Sequence, residues 1–145
     1  MIVRGAKKSD FENLVSIGIE FAEVSQKSHG LSISRKKIEE FTNTVVENPN
    51  WISLVLEDEG IIKGIFTAAI IQTFFSEDII AQELVWYVRG FSKEGLKLLL
   101  EFEKQCKGRK VQKIILGYKQ SFFNMKNFYK KMGYRVFESF FIKEL

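Results

Sequence analysis

The chain has 145 residues, 46% hydrophobic and 28% charged, which suits a single folded domain spanning 1–145 with one sizeable core rather than a disordered chain. Charge divides unevenly: residues 1–80 carry 8 Lys/Arg against 12 Asp/Glu, whereas residues 81–145 carry 14 against 6, a basic half suited to a polyanion such as a phosphorylated cofactor or nucleic acid. One cysteine (Cys106) excludes an internal disulfide, one histidine (His29) argues against a Cys/His zinc centre, and no apolar run is long enough to span a membrane.

"MIVRGA" reads as a short first strand, and "MIVRGAKKSD" lacks a signal-peptide hydrophobic block, so a cytoplasmic location is expected. "SDFE" offers a capping box, Ser9 as N-cap with Glu12 three residues on, and Phe11, Leu14, Ile17, Phe21 and Val24 follow at helical spacing. Gly30 breaks that helix. Ser34 can cap a second one, with Ile38, Phe41 and Val45 inward and Asn48-Pro49 as its stop. "WISLVLE" and "IIKGIFTAAIIQTFF" are β-rich and joined by Asp58-Glu59-Gly60, a hairpin signal. Gly64 in the second run suggests a bulge or a close backbone approach. "IIAQELVWYV" is a third long strand, followed by a helix to about Lys107, the strand "VQKIILGY", and a helix whose stripe is Phe122, Met125, Tyr129 and Met132 with Gly133 as its cap. "YRVFESFFIKEL" reads as a closing strand. The expected fold is therefore α/β, a mixed, mainly antiparallel twisted sheet with helices on both faces, in the order β-α-α-β-β-β-α-β-α-β.

The junction "VWYVRGFSKEGLKLLL" carries the candidate chemistry. A helix N-terminus presents unpaired N–H groups and partial positive charge, a ready phosphate site. Ser92 is the expected N-cap, Gly90 eases the bend, and Gly95 in the first turn would let a ligand near the backbone. Arg89, Lys93 and Lys97 add charge. On the preceding strand, simple alternation puts Glu83, Val85 and Tyr87 on one face and Leu84, Trp86 and Val88 on the other.

The opening "IVRGAKKSDFENLVSI", the hairpin "LVLEDEGIIKGIF", the segment "ELVWYVRGFSKEGLKLLLEFE" and the ending "NFYKKMGYRVFESFFIKEL" together resemble the GNAT (GCN5-related N-acetyltransferase) superfamily across essentially the whole chain. The last two look most like small acetyltransferase-like proteins encoded by bacteriophages. The resemblance implies an acyl-CoA N-acyltransferase fold. It also implies N-acetyltransferase activity with acetyl-CoA as donor, no metal, and direct attack by the acceptor amine in a ternary complex. The acceptor would be an amine on a small molecule or a protein.

The cofactor-binding set would then be Trp86, Val88, Arg89, Gly90, Ser92, Lys93, Gly95 and Lys97. Backbone amides near Val88 would orient the cofactor and polarise its carbonyl. Glu83 falls near the strand position where the family often places a general base, which an amine protonated near neutrality requires. Tyr129 matches the tyrosine of the family's ending, here "YKKMGY", which commonly protonates the departing thiolate. The loop departs from the family's Gln/Arg-x-x-Gly-x-Gly/Ala. With Gly95 first, Ser92 replaces Gln/Arg and Lys97 the second Gly; with Gly95 second, Lys93 replaces the first Gly and Gly90 the Gln/Arg. Phe122 stands where the family often has Asn. The alternative is a catalytically inactive module of this fold that binds a protein, or nucleic acid through "KGRKVQK" and "KNFYKK". The aromatics near those basic runs fall on the core stripe, which counts against nucleic acid.

Overall fold

The structure, a computed structural model, describes residues 1–90, 93–117 and 125–145. It begins with β1 (Ile2–Gly5) and passes through a tight turn into α1 (Phe11–Ser25). Asp10, rather than Ser9, organises that turn. Its carboxylate accepts from the Lys7 N–H at 2.8 Å and from two Arg4 nitrogens at 2.8 and 3.0 Å. The arginine comes from β1, and a charge-assisted partner of this kind outcompetes a serine hydroxyl. Leu14, Ile17 and Phe21 of the predicted stripe are buried. At α2 (Arg35–Val45), the Ser34 hydroxyl accepts from the Lys37 N–H at 3.3 Å, the cap expected from the sequence.

The long strands are β2 (Trp51–Asp58), β3 (Ile61–Gln72) and β4 (Ile79–Val88). Glu59 and Gly60, with φ of 47° and 80°, form the two-residue left-handed turn that matches strand twist between β2 and β3. Next come α3 (Gly95–Gly108), the short β5 (Lys113–Ile115) and α4 (Met125–Lys131). The sheet order is β1-β2-β3-β4-β5, antiparallel except for the parallel β4–β5 pair across the α3 crossover. Helices cover both faces. One core lies under α1 and α2 around Ile17, Phe21, Val55 and Ile65; the other lies under α3 around Phe66, Leu98, Leu99 and Phe102, with Phe128 of α4 and Met132 just past its end against it.

The element order matches the sequence reading as far as α4, which Gly133 ends at φ 89°. The closing strand is not formed among the described residues: 134–145 join no ladder with them, and Phe137, Phe140 and Phe141 are exposed. Strand propensity becomes a strand only where backbone partners exist, and the adjacent edge strand β5 is three residues long.

Candidate active site

The register between β3 and β4 decides which side chains meet. Thr67 pairs with Val85 but Ala68 pairs with Glu83, so Leu84 is an extra residue, a β-bulge. Residues paired across strands share a face. Glu83 therefore joins Ala68 and Ala81 on the α3 face, while Leu84 and Val85 both turn toward α1 and α2. The simple alternation that put Glu83 with Val85 and Tyr87 is overturned here: the bulge shifts the phase of the strand by one residue. It also leaves Glu83 on the same face as Trp86 and Val88.

Two sequence candidates converge on one residue, Gly117. The Glu83 carboxylate accepts from the Gly117 N–H at 2.7 Å, and the Tyr129 hydroxyl donates to the Gly117 carbonyl at 3.1 Å. Tyr129 stacks on Trp86 with ring centroids 6.4 Å apart and planes 27° from parallel. Phe128 beside it in α4 and Met132 just past the helix end anchor the helix on the core. Burial, and secondarily the nearby Glu83 charge, push the Tyr129 phenol well above its ordinary value, so it stays protonated through the neutral range. Gly117 admits nothing larger, since a Cβ there would sit 2.9 Å from the Glu83 Oε2. This glycine was not singled out from the sequence; its position at the end of a strand pattern was the available signal.

Around these groups the sheet opens. β4 pairs with β5 over Ile80–Gln82 only, so from Glu83 onward its outer edge has no strand beside it among the described residues. α3 begins just beyond β4, with Glu94 as N-cap position and no side-chain cap; the Leu96 and Lys97 N–H groups of its first turn donate to the Lys93 and Glu94 carbonyls at 3.1 and 2.9 Å. Ser92, the expected cap, lies outside the described residues, as does Phe122. Gly90 adopts φ 72° and makes the bend as expected.

The other loop candidates are placed differently from the sequence expectation. Arg89 turns to the α1 side, where it donates to Glu20 at 2.5 Å and 3.0 Å and to the Ile62 carbonyl at 3.1 Å. Lys97 pairs with Glu94 one turn away. Gly95 is buried and packs rather than opening to a ligand: a Cβ there would meet the Val88 Cγ2 at 2.9 Å. The same methyl group would lie 3.0 Å from a Cβ on Gly64, so Val88 is clasped between two glycines, the close approach that Gly64 had suggested. Lys93 is exposed and has no ion-pair partner among the described residues.

The opposite face of the sheet holds a cavity of about 400 Å³ between α1, α2 and strands β2–β4. Phe21, Phe41 and Leu84 give it apolar walls, and Ser53 and Thr67, paired across β2 and β3, place hydroxyl-bearing residues on its floor. Among the described residues no Asp or Glu lines it. Nor does any group of three or more His, Cys, Asp and Glu among them suit a metal ion, and no helix among the described residues is long and apolar enough to cross a membrane.

Compared with known families and with curated proteins, the sequence matches none. Among solved structures, it is similar to a predicted acetyltransferase with acetyl-CoA from Clostridium acetobutylicum, at 18% identity and TM-score 0.76, covering 99% of this chain and 95% of that one. The ribosomal-protein-alanine N-acetyltransferase of Brucella melitensis biovar Abortus superposes at TM-score 0.74 with 11% identity, over 99% and 98% of the two chains. A GNAT family acetyltransferase of Staphylococcus aureus gives 0.67 and 20%, over 99% and 98%. At such identities the likeness is one of architecture, and along its whole length this chain has the fold of the GNAT acetyltransferases.

Proposed function

We propose that the protein is an N-acetyltransferase of the GNAT superfamily that moves an acetyl group from acetyl-CoA to an amine acceptor on a small molecule or a protein. The observation that supports this most is the meeting of Glu83 and Tyr129 on the backbone N–H and carbonyl of Gly117, where β4 parts from β5. The backbone fits the donor. A strand edge with no partner strand among the described residues offers amides beside Val88, and the N-terminus of α3, the positive end of that helix, lies just beyond it on the side a pyrophosphate would take. Trp86, Gly90 and Lys93 lie along the same path. Bound acetyl-CoA would supply the activated thioester.

Glu83 is the group in this constellation able to accept a proton from an ammonium, and Tyr129 the group able to donate one to a departing thiolate. The raised phenol keeps Tyr129 protonated and able to hydrogen-bond the sulfur as charge develops on it, while burial works against full transfer of that proton. Resemblance to phage-encoded members of the superfamily rests on residues 83–103 and 127–145. A thermal-shift titration with coenzyme A and acetyl-CoA tests the proposal. Ligand at a hundredfold excess over its Kd should add about 2.7 kcal/mol of stability. No shift with either compound would sink it.

A second reading is an inactive module of this fold that binds a protein or nucleic-acid partner. The engagement of Arg89 by Glu20 and of Lys97 by Glu94 favours it, since both cations are diverted from a phosphate. It expects salt-sensitive partner binding and no response to coenzyme A.

A further inference from the structure

We propose that the cavity between α1, α2 and the sheet holds the acceptor, and that this acceptor is an amine carried on an uncharged, apolar body; the inference rests on the acetyltransferase reading above. The position comes from the bulge. Leu84 and Val85 form the β4 wall of the cavity, and the next residue back along the strand is Glu83 on the opposite face. Because β4 has no outer neighbour from Glu83 onward among the described residues, the strand edge there joins the two faces. An amine at the β4 end of the cavity thus lies against the strand whose preceding residue carries the carboxylate able to take its proton, with the strand edge as the route between the two faces.

Size and lining give the chemical class. A volume of about 400 Å³ lies within the range of small-molecule sites. A polyamine or a basic peptide brings several ammonium groups, and each would need a carboxylate to replace the water it loses. The described lining supplies none. Its only charged side chain is Lys37, which pairs with Glu40 at 2.8 Å and would repel a second cation. Phe21, Phe41 and Leu84 instead suit a ring or an aliphatic chain. Ser53 and Thr67 offer hydroxyl oxygens to a single amine.

The test compares phenethylamine, spermidine and a lysine-rich peptide as acceptors, measured by coenzyme A release. Phenethylamine should show kcat/KM at least tenfold above the other two. Leu84→Trp, a change at a partly exposed wall position, should lower that value at least tenfold while leaving the acetyl-CoA thermal shift intact. Gln26→Glu, on the exposed rim, should raise spermidine relative to phenethylamine at least threefold, and it serves if the tryptophan variant does not fold. Preference for spermidine or the peptide, or a folded Leu84→Trp variant with unchanged phenethylamine kinetics, would overturn the proposal. If acetyl-CoA neither binds nor is consumed, the acetyltransferase reading fails separately. Calorimetry with the amines alone then decides: phenethylamine binding that Leu84→Trp weakens or Gln26→Glu strengthens keeps the cavity as an apolar-amine site, and its absence removes it.

Discussion

The two faces of the sheet are built to different densities. Under α3, Phe66 and Phe102 stack with centroids 4.5 Å apart, Leu98, Leu99 and Phe102 have no exposed surface, and two glycines clasp Val88. Under α1 and α2, a cavity remains although Ile17 and Val55 are equally buried. The helices of that face spend much of their contact on each other: a Cβ on Gly18 would lie 3.0 Å from the Ile38 Cγ2. The difference teaches a division of labour. The dense face fixes β4 in place, and the looser face leaves room beside it, so that one bulged strand presents a carboxylate to one side and a cavity wall to the other.

Breaking the dense face should have the largest effect. Phe102→Ala removes a fully buried ring and should cost about 3–5 kcal/mol in urea unfolding, whereas Leu84→Ala on the cavity wall, where 42% of the residue is exposed, should cost under about 1 kcal/mol. Equal losses would mean that the cavity face is packed as tightly as the other.

The next test asks whether the convergence on Gly117 is chemical or only structural. Tyr129→Phe keeps the stack on Trp86 and loses the hydroxyl, so kcat should fall about 10²-fold or more with the KM for acetyl-CoA nearly unchanged. If turnover holds, the hydroxyl merely secures the Gly117 carbonyl.

Asp10→Asn should cost about 2–3 kcal/mol at pH 7, because it breaks a charge-assisted contact with Arg4. The Arg4 hydrogen bond, as the largest cause, holds the Asp10 carboxyl below the 3.8 of an unperturbed aspartate. Its stabilisation is complete above that ordinary value and is lost as pH falls through the lower, folded one. The gap between wild type and variant should therefore narrow in urea titrations below about pH 4. A gap of constant width would show that the loss is one of packing.

The smallest effect sharpens the glycine clasp. Gly95→Ala should destabilise by about 1–2 kcal/mol, with crowding of Val88 outweighing the helix-propensity gain of up to about 1 kcal/mol. A rise in melting temperature would restore Gly95 as an open position facing a ligand.

Much of the fold was legible because its signals are local. The Glu59-Gly60 turn, the Ser34 cap and the Gly133 stop each depend on a few neighbouring residues, and the structure reproduces all three. Tyr129 and Glu83 were legible as candidates, but their meeting at Gly117 joins residues 34 and 12 positions apart and has no local signature. The closing strand misled for the complementary reason: alternation is local, whereas a ladder needs a partner elsewhere in the chain.

The sequence by itself determined the order of the elements, the mixed sheet and the strand-to-helix junction, since hydrophobic period and turn chemistry act over a few residues. Tertiary structure alone decided that Leu84 bulges, that Asp10 answers Arg4, and that Arg89 serves Glu20 69 residues away. Register and ion pairing are settled between segments. A one-residue shift in register moves every later side chain to the other face, and nothing within a strand's own sequence states which partner residue it will meet.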